Sequence, residues 1–337
     1  MIMNKISTAY IELTSQCNLR CKHCYHDEND NIYNLDYSVL AQLLEDLYQT
    51  GCRNISLSGG ETLLYKEIDK LVLNFEKMFQ ITIITNGTIF DTLKYTKYDP
   101  SKVHYQVSID GSSPEENDKI RGIGTFDKAI ETICKLRELG FIVHVNTTIS
   151  NNNLNNIKKY LAVLKKTGVN NISFQKLNYT GRAKLNKDIL FCSDDEFNLI
   201  RKEIEYWSDI YSIESIIMKS EYGKCPILLN SSLNIKVSFT GNVFLCQYFE
   251  DIESYSIGNI YIDRIYEMLD SEKMEDLLLL MELSQKHINA CFKCKYQLLC
   301  MKPCPADILR NSIAEYNDNK CLGRINYIRS QRSDHEK

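Results

Sequence analysis

The arrangement of cysteines constrains this chain more than any other feature. Thirteen occur in 337 residues, and ten of them fall into two groups. The first group is Cys17-Asn18-Leu19-Arg20-Cys21-Lys22-His23-Cys24, three thiols spaced four and three positions apart. The second comprises Cys225 and Cys246, the run Cys291, Cys294, Cys300 and Cys304, and then Cys321. Residues 1–10 lack the basic-then-apolar profile of a secretory signal, so a reducing, cytoplasmic setting is expected, where thiols at tight, unequal spacings hold metal and are seldom paired as disulfides. Three thiolates in one short loop suit an iron–sulfur cubane that keeps one iron open to a small molecule. The alternative is a structural zinc site, with a fourth ligand drawn from His23 or His26.

Composition narrows the setting. The chain is 44% hydrophobic and 25% charged, which excludes disorder. Forty basic against 44 acidic residues leave a net charge of −4, with no basic excess to grip nucleic acid. No apolar run is long enough to span a bilayer, so no membrane partner is expected.

From residue 7 to about 180 the chain alternates strand-like and helix-like stretches. Strands are expected at 8–13, 54–57, 81–85, 103–109, 141–149 and 172–177, all rich in Ile, Val, Tyr and Thr. Between them run helical stripes such as Val39, Leu40, Leu43, Leu44 and Leu47, with Gly51, Gly140 and Gly168 at helix ends. This alternation demands a parallel sheet with right-handed crossovers. The expected fold is α/β: a partial, six-unit, TIM-like barrel over residues 1–187. A helical bridge (188–224), a small α+β cysteine-rich domain (225–325) and a polar tail (326–337) follow. Ligands of such sheets bind at the carboxyl ends of the strands.

The CxxxCxxC loop after the first strand resembles that of radical S-adenosylmethionine (SAM) enzymes, and further residues support the resemblance. Ser58-Gly59-Gly60-Glu61 follows the second strand and looks like the family's GGE motif, with Thr62 where proline is usual. The third and fourth strands end at Asn86 and at Ser108-Ile109-Asp110, and Arg121 lies in the next Gly-containing loop. By resemblance, Gly59, Gly60 and Glu61 offer polar groups to the cofactor ammonium, Ser108 contacts the ribose and Arg121 the carboxylate. Asn86 and Asp110 join this cofactor-binding set, although Asn-Gly and Asp-Gly are also plain turn formers.

The second cysteine group matches in spacing the seven-cysteine pattern of the SPASM extension carried by many members of this family. That resemblance implies two auxiliary clusters and, with the first, three 4Fe–4S clusters in all. Cys291, Cys294, Cys300 and Cys321 would hold one auxiliary cluster, and Cys225, Cys246 and Cys304 the other. The latter set is one ligand short, so either Cys192 reaches in or a substrate thiolate occupies the vacant position. Lys302-Pro303 replaces the frequent glycine pair before Cys304. Cys52 and Cys134 read as buried small hydrophobes. Spacing alone leaves structural zinc open for the second group.

The resemblance implies an enzyme that cleaves SAM reductively and uses a 5′-deoxyadenosyl radical to abstract hydrogen from a precursor peptide or protein. A thioether or carbon–carbon cross-link is the expected product. Other readings are a peptide epimerase with Cys192 as donor thiol, a tetrapyrrole side-chain enzyme, an iron–sulfur electron carrier and a zinc-binding module. A sulfatase-maturase role is disfavoured because Gln247 stands where those members carry a proton-accepting aspartate. A flavodoxin- or ferredoxin-type electron donor is expected. The first strand starts within ten residues of Met1, so any leader peptide is expected to be recognised by the SPASM region or by a separate small protein.

Overall fold

The computed structural model describes residues 6–26, 31–91, 96–150, 153, 156–177, 180–218, 225, 227–228, 233–249, 253–286 and 304–310. Cys291, Cys294, Cys300, Cys321 and the polar tail lie outside the described residues. Six parallel strands form where the sequence places them: β1 (Ile6–Glu12), β2 (Asn54–Ser58), β3 (Gln80–Thr85), β4 (Val103–Ser108), β5 (Ile142–Ile149) and β6 (Asn171–Lys176). The bridge contributes more than a helix. Its helix Asp194–Tyr211 leads into a seventh strand, β7 (Glu214–Met218), parallel to β6.

On the other side of the sheet, β8 (Leu233–Val237) pairs parallel to β1, with Ala9 opposite Ile235 and Ile11 opposite Val237. The antiparallel strands β9 (Asn242–Phe244) and β10 (Gly258–Asn259) extend it. The strand order is β10-β9-β8-β1-β2-β3-β4-β5-β6-β7. Eight strands are therefore parallel, not six, and the hairpin expected in a separate domain is continuous with the barrel sheet.

The two faces of the sheet differ sharply. Ala9, Ile11, Ile55, Leu57, Ile83, Val107, Val145 and Phe174 pack under the helices and are buried. The alternate residues, including Ser56, Gln106, Asn146, Ser173 and Gln175, line one common cavity. Side chains from β8 (Lys236) and from β6 (Ser173 and Gln175), six strands apart in the row, share that cavity, so the sheet curls into an open barrel. Parallel sheets ordinarily bury apolar side chains on both faces; here only the outer face does so. Two ion pairs bind the later segments to the barrel. The Arg264 guanidinium grips Asp46 of the helix Tyr37–Gln49 through Nε (2.6 Å) and Nη2 (2.5 Å). Inside the barrel, Lys236 Nζ of β8 meets Glu12 Oε1 of β1 at 2.9 Å, both side chains fully buried. No helix among the described residues is long and apolar enough to cross a membrane.

The charge of Lys236 and its hydrogen bonds with Tyr25 and Lys236 hold the Glu12 carboxyl down at about 2 despite burial, with His26 adding to the effect. Its stabilising contribution is therefore complete above the ordinary carboxylate range and is lost as pH falls toward 2. Lys236→Met leaves Glu12 uncompensated and is expected to cost about 3 kcal/mol in denaturant unfolding at pH 7. The double variant Glu12→Gln/Lys236→Met should lose less than the sum of the single changes and flatten the acid limb of the stability–pH curve.

Candidate functional site

The first cysteine group leaves β1 at its carboxyl end and is fixed on all sides before any ligand is considered. Beneath it lies the turn after β2. The Gly60 amide donates to Thr14 O (2.7 Å) and the Glu61 amide to Gln16 O (2.8 Å). A Cβ at Gly60 would stand 2.5 Å from Gln16 O, and one at Gly59, where φ is +143°, 2.4 Å from Thr14 O. Both glycines are thus required by the backbone that leads into Cys17.

Glu61 faces inward, with its oxygens engaged. Oε1 accepts from Thr85 Oγ1 (2.7 Å) and the Leu63 amide (3.2 Å), and Oε2 accepts from the Asn86 amide (2.7 Å). Burial pushes its carboxyl up, against the effect of these donors. Asn86 in turn donates through Nδ2 to Asn18 Oδ1 (2.9 Å), tying the end of β3 to the cysteine loop. Glu61 and Asn86 therefore act first as braces.

Beyond β4, the buried Asp110 holds two side chains of the loop region, Arg121 and His23. Its Oδ2 lies 2.6 Å from Arg121 Nε and 2.6 Å from His23 Nε2, while Oδ1 accepts the Thr148 amide (2.8 Å). Arg121 and His23 keep the Asp110 carboxyl well below the usual carboxylate range, overcoming burial. Asp110 is not among the cavity-lining residues, whereas Arg121, His23 and Ser108 are. Asp110 thus positions Arg121 and His23, which do line the cavity.

Sequence reasoning missed the third support. Arg182, buried, donates from Nε to Cys21 O (3.1 Å), the Ala183 amide donates to Cys24 O (3.2 Å), and Asn186 Nδ2 to Lys22 O (3.3 Å). At Gly181, where φ is +52°, a Cβ would lie 2.2 Å from Tyr25 O. A Thr-Gly-Arg turn some 160 residues from the loop gives no local signal of this contact.

Cys17, Cys21 and Cys24 border a cavity of about 390 Å³. Cys17 Sγ accepts the Leu19 amide (3.4 Å), and the Cys21 thiol donates to Arg121 O (3.8 Å). Burial raises the pKa of all three thiols, that of Cys21 to about 12. The histidines proposed as a fourth zinc ligand are committed elsewhere: His23 Nε2 to Asp110 and, at 3.5 Å, His26 Nε2 to Glu12. Among the described residues, no three His, Cys, Asp or Glu side chains converge on a single ion. The buried Nδ1 of His23 has no hydrogen-bond partner among the described residues. Three thiols on one wall, an orphaned imidazole nitrogen and a polar cavity fit a multi-iron cluster with a bound polar cofactor.

The second cysteine group approaches the same cavity. Cys225, Cys246 and Cys304 are half-buried against the core. Cys304 precedes the helix Pro305–Arg310, which packs on the turn Gln247–Phe249 after Cys246. Gln247 and Tyr248 of that turn line the cavity opposite the first group's loop. Cys192 does not line it. Its buried thiol lies within the core and donates to Ser193 O (3.5 Å), a placement that supports neither of its suggested roles. Cys52 is likewise in the core, and Cys134 is half-buried.

Comparison with known proteins agrees with this architecture. The sequence matches the Radical SAM superfamily over residues 11–164 and the SPASM iron–sulfur cluster-binding domain over residues 225–295. It is 28% identical to the Fe-coproporphyrin III synthase of Methanosarcina barkeri, covering 86% of this chain and 80% of that protein. Identity to the subtilosin biosynthesis protein AlbA of Bacillus subtilis is 24%, over 80% of this chain and 60% of AlbA. Among solved structures, SuiB of Streptococcus suis bound to its precursor peptide SuiA superposes with a TM-score of 0.76 at 13% identity. That superposition covers 91% of this chain and 73% of SuiB and shows a shared fold.

Gly60→Ala must displace the backbone at Gln16. It is expected to lower iron and sulfide per chain and to reduce SAM cleavage by at least about tenfold. Because cluster loading displaces protons from thiols of raised pKa, anaerobic reconstitution should be faster at pH 8.5 than at pH 7, followed by the rise in visible absorbance.

Proposed function

Because the chain belongs to the radical SAM superfamily and carries a SPASM iron–sulfur region, we propose that this enzyme matures a ribosomally made precursor peptide. It joins a carbon of that peptide to a cysteine sulfur or to a second carbon. The observation that carries this reading is the chemistry of the cavity. Its walls present amide and hydroxyl side chains from Ser56, Gln106, Ser108, Asn146, Ser173 and Gln175, which suit a peptide's donors and acceptors. Apart from Arg121, which is assigned to SAM, its lysine and arginine side chains face other groups of the protein: Lys236 pairs with Glu12, Arg182 donates to the Cys21 carbonyl and Lys176 lies over the Phe197 ring at 5.8 Å. Such a lining favours a peptide over a substrate rich in carboxylates.

When bound, the amino-terminal cluster and SAM would supply one-electron chemistry directed at a carbon–hydrogen bond of the substrate. Cys17, Cys21 and Cys24 would ligate that cluster. Ser108 and Arg121, the latter oriented by Asp110, would bind SAM, and the glycine turn keeps the ligand loop rigid. Cys225, Cys246 and Cys304 would supply three thiolates to an auxiliary cluster. A substrate thiolate would complete that set, and Gln247 and Tyr248, which follow Cys246, line the cavity from which it would come. Cys291, Cys294, Cys300 and Cys321 would hold the other auxiliary cluster.

A tetrapyrrole side-chain activity is the second reading, favoured by the 28% identity over most of the chain to the Fe-coproporphyrin III synthase. The epimerase reading lacks a donor thiol among the described cavity residues other than Cys17, Cys21 and Cys24. The test is incubation of reconstituted enzyme, SAM and dithionite with cysteine-containing precursor peptides. The expected product is lighter by the mass of two hydrogen atoms and, where a thioether forms, has one fewer titratable thiol. Peptides unchanged in mass alongside a converted coproporphyrin would move the assignment to the second reading; solvent deuterium gained without mass loss would indicate epimerisation. Cys304→Ala should keep SAM cleavage within about threefold of wild type and abolish cross-linking, read by mass spectrometry.

A further inference from the structure

The sheet ends differently on its two sides. At one end of the row stands β10, a strand of two residues paired with β9. At the other stands β7, five residues paired with β6 in unbroken register from Glu214 to Met218. Edge strands are ordinarily blunted by shortness, a bulge, a proline or a lysine, because an open edge invites further pairing. β10 is short. β7 reads Glu-Ser-Ile-Ile-Met and has none of these devices.

The outer edge of β7 has a definite hydrogen-bonding pattern. In a parallel pair a residue turns both its N–H and its C=O toward one neighbour, and the next residue turns both away. The Glu214 amide donates to Asn170 O (2.7 Å), so Glu214 and Ile216 are the residues that bond to β6. Ser215 and Ile217 therefore direct two N–H and two C=O groups outward, and these have no backbone partner among the described residues.

This edge adjoins the cavity. Ser173 and Gln175 of β6 line the cavity and stand in register with Ile216 and Met218. Ile216 lies on the same face of the sheet and is 55% exposed, and Lys176 and Leu177 continue the lining past the end of β6. A chain running along β7 thus has its next residues at the cavity. Donors and acceptors that repeat at the spacing of an extended strand are matched by a peptide main chain. A tetrapyrrole has no row of amides and leaves them unsatisfied.

We infer that the outer edge of β7 binds an extended segment of the precursor peptide as an added strand, bonded to the peptide groups of Ser215 and Ile217, and leads the reacting residue into the cavity. An apolar peptide side chain covers Ile216. This inference rests on the peptide-maturase reading and says how that peptide is held.

The test uses reconstituted holoenzyme, SAM and a cysteine-containing precursor peptide that the mass-spectrometric assay shows to be converted. With the peptide at saturation, residue-resolved amide hydrogen exchange at Ser215 and Ile217 should slow by about tenfold or more, while Ile216, already bonded to β6, changes little. Ser215→Pro removes one outward donor at an edge position where proline is tolerated, and should weaken peptide affinity about tenfold. Backbone N-methylation of the peptide tests the same bonds on the wild-type enzyme: affinity should fall about tenfold at alternate residues and less than about twofold at the residue between them. A converted peptide that leaves exchange at Ser215 and Ile217 unchanged, or N-methyl effects without alternation, would overturn the inference and leave the peptide reading standing. Slow exchange at both residues in the enzyme alone, together with a dimer in sedimentation, would give the edge to a second copy of the chain and overturn it too. If no peptide is converted, the peptide-maturase reading has failed and the inference falls with it.

Discussion

The cysteine loop is held by backbone contacts so close that side chains are excluded from its supports. Gly59 and Gly60 lie against Thr14–Gln16 and Gly181 against Tyr25, each where a Cβ would fall within about 2.5 Å of a carbonyl oxygen. Hydrogen bonds from Arg182, Ala183 and Asn186, and from Asn86 through Asn18, complete the frame. Buried thiols cost little while protonated but must ionise to bind metal, and a rigid frame keeps them from collapsing into other partners. The supports come from the carboxyl ends of β2, β3, β4 and β6, so the barrel is what makes the loop competent.

The contrast between the faces of the sheet follows from the same requirement. The outer face supplies the hydrophobic stabilisation, with side chains such as Tyr105, Phe141 and Phe174 buried under the helices. The inner face is then free to be polar. Its two buried charge clusters, Glu12 with Lys236 and Asp110 with Arg121 and His23, are paired at 2.6–2.9 Å, which is what makes ionised groups tolerable there.

Much of this was legible in the sequence because its signals are local. Six strands are bounded by glycine turns and β-branched runs, and their predicted limits fall within two residues of those observed. The loop Cys17–Cys24 and the hairpin around Gly241 are set by spacing. What was not legible is tertiary. β7 is only five residues long and follows a helix that dominates its segment. Arg182 meets its target across 161 positions. Glu61 reads as a ligand-facing carboxylate, whereas its donors, Thr85 and Asn86, are visible only once β3 lies beside β2. Glu12 and Lys236 did leave a trace: each is a lone charge in an apolar strand, the pattern expected of partners that find one another inside.

The parallel pairing of β8 with β1 bears on how the chain is made. β1 leaves the ribosome more than 220 residues before β8, one of its two neighbours; Ser7 Oγ, for example, donates to Leu233 O across 226 positions. Throughout that interval the edge is unsatisfied, a template for stray strands. Closure of that edge therefore waits on the arrival of the hairpin, so the barrel sheet and the segment that carries Cys246 complete one another.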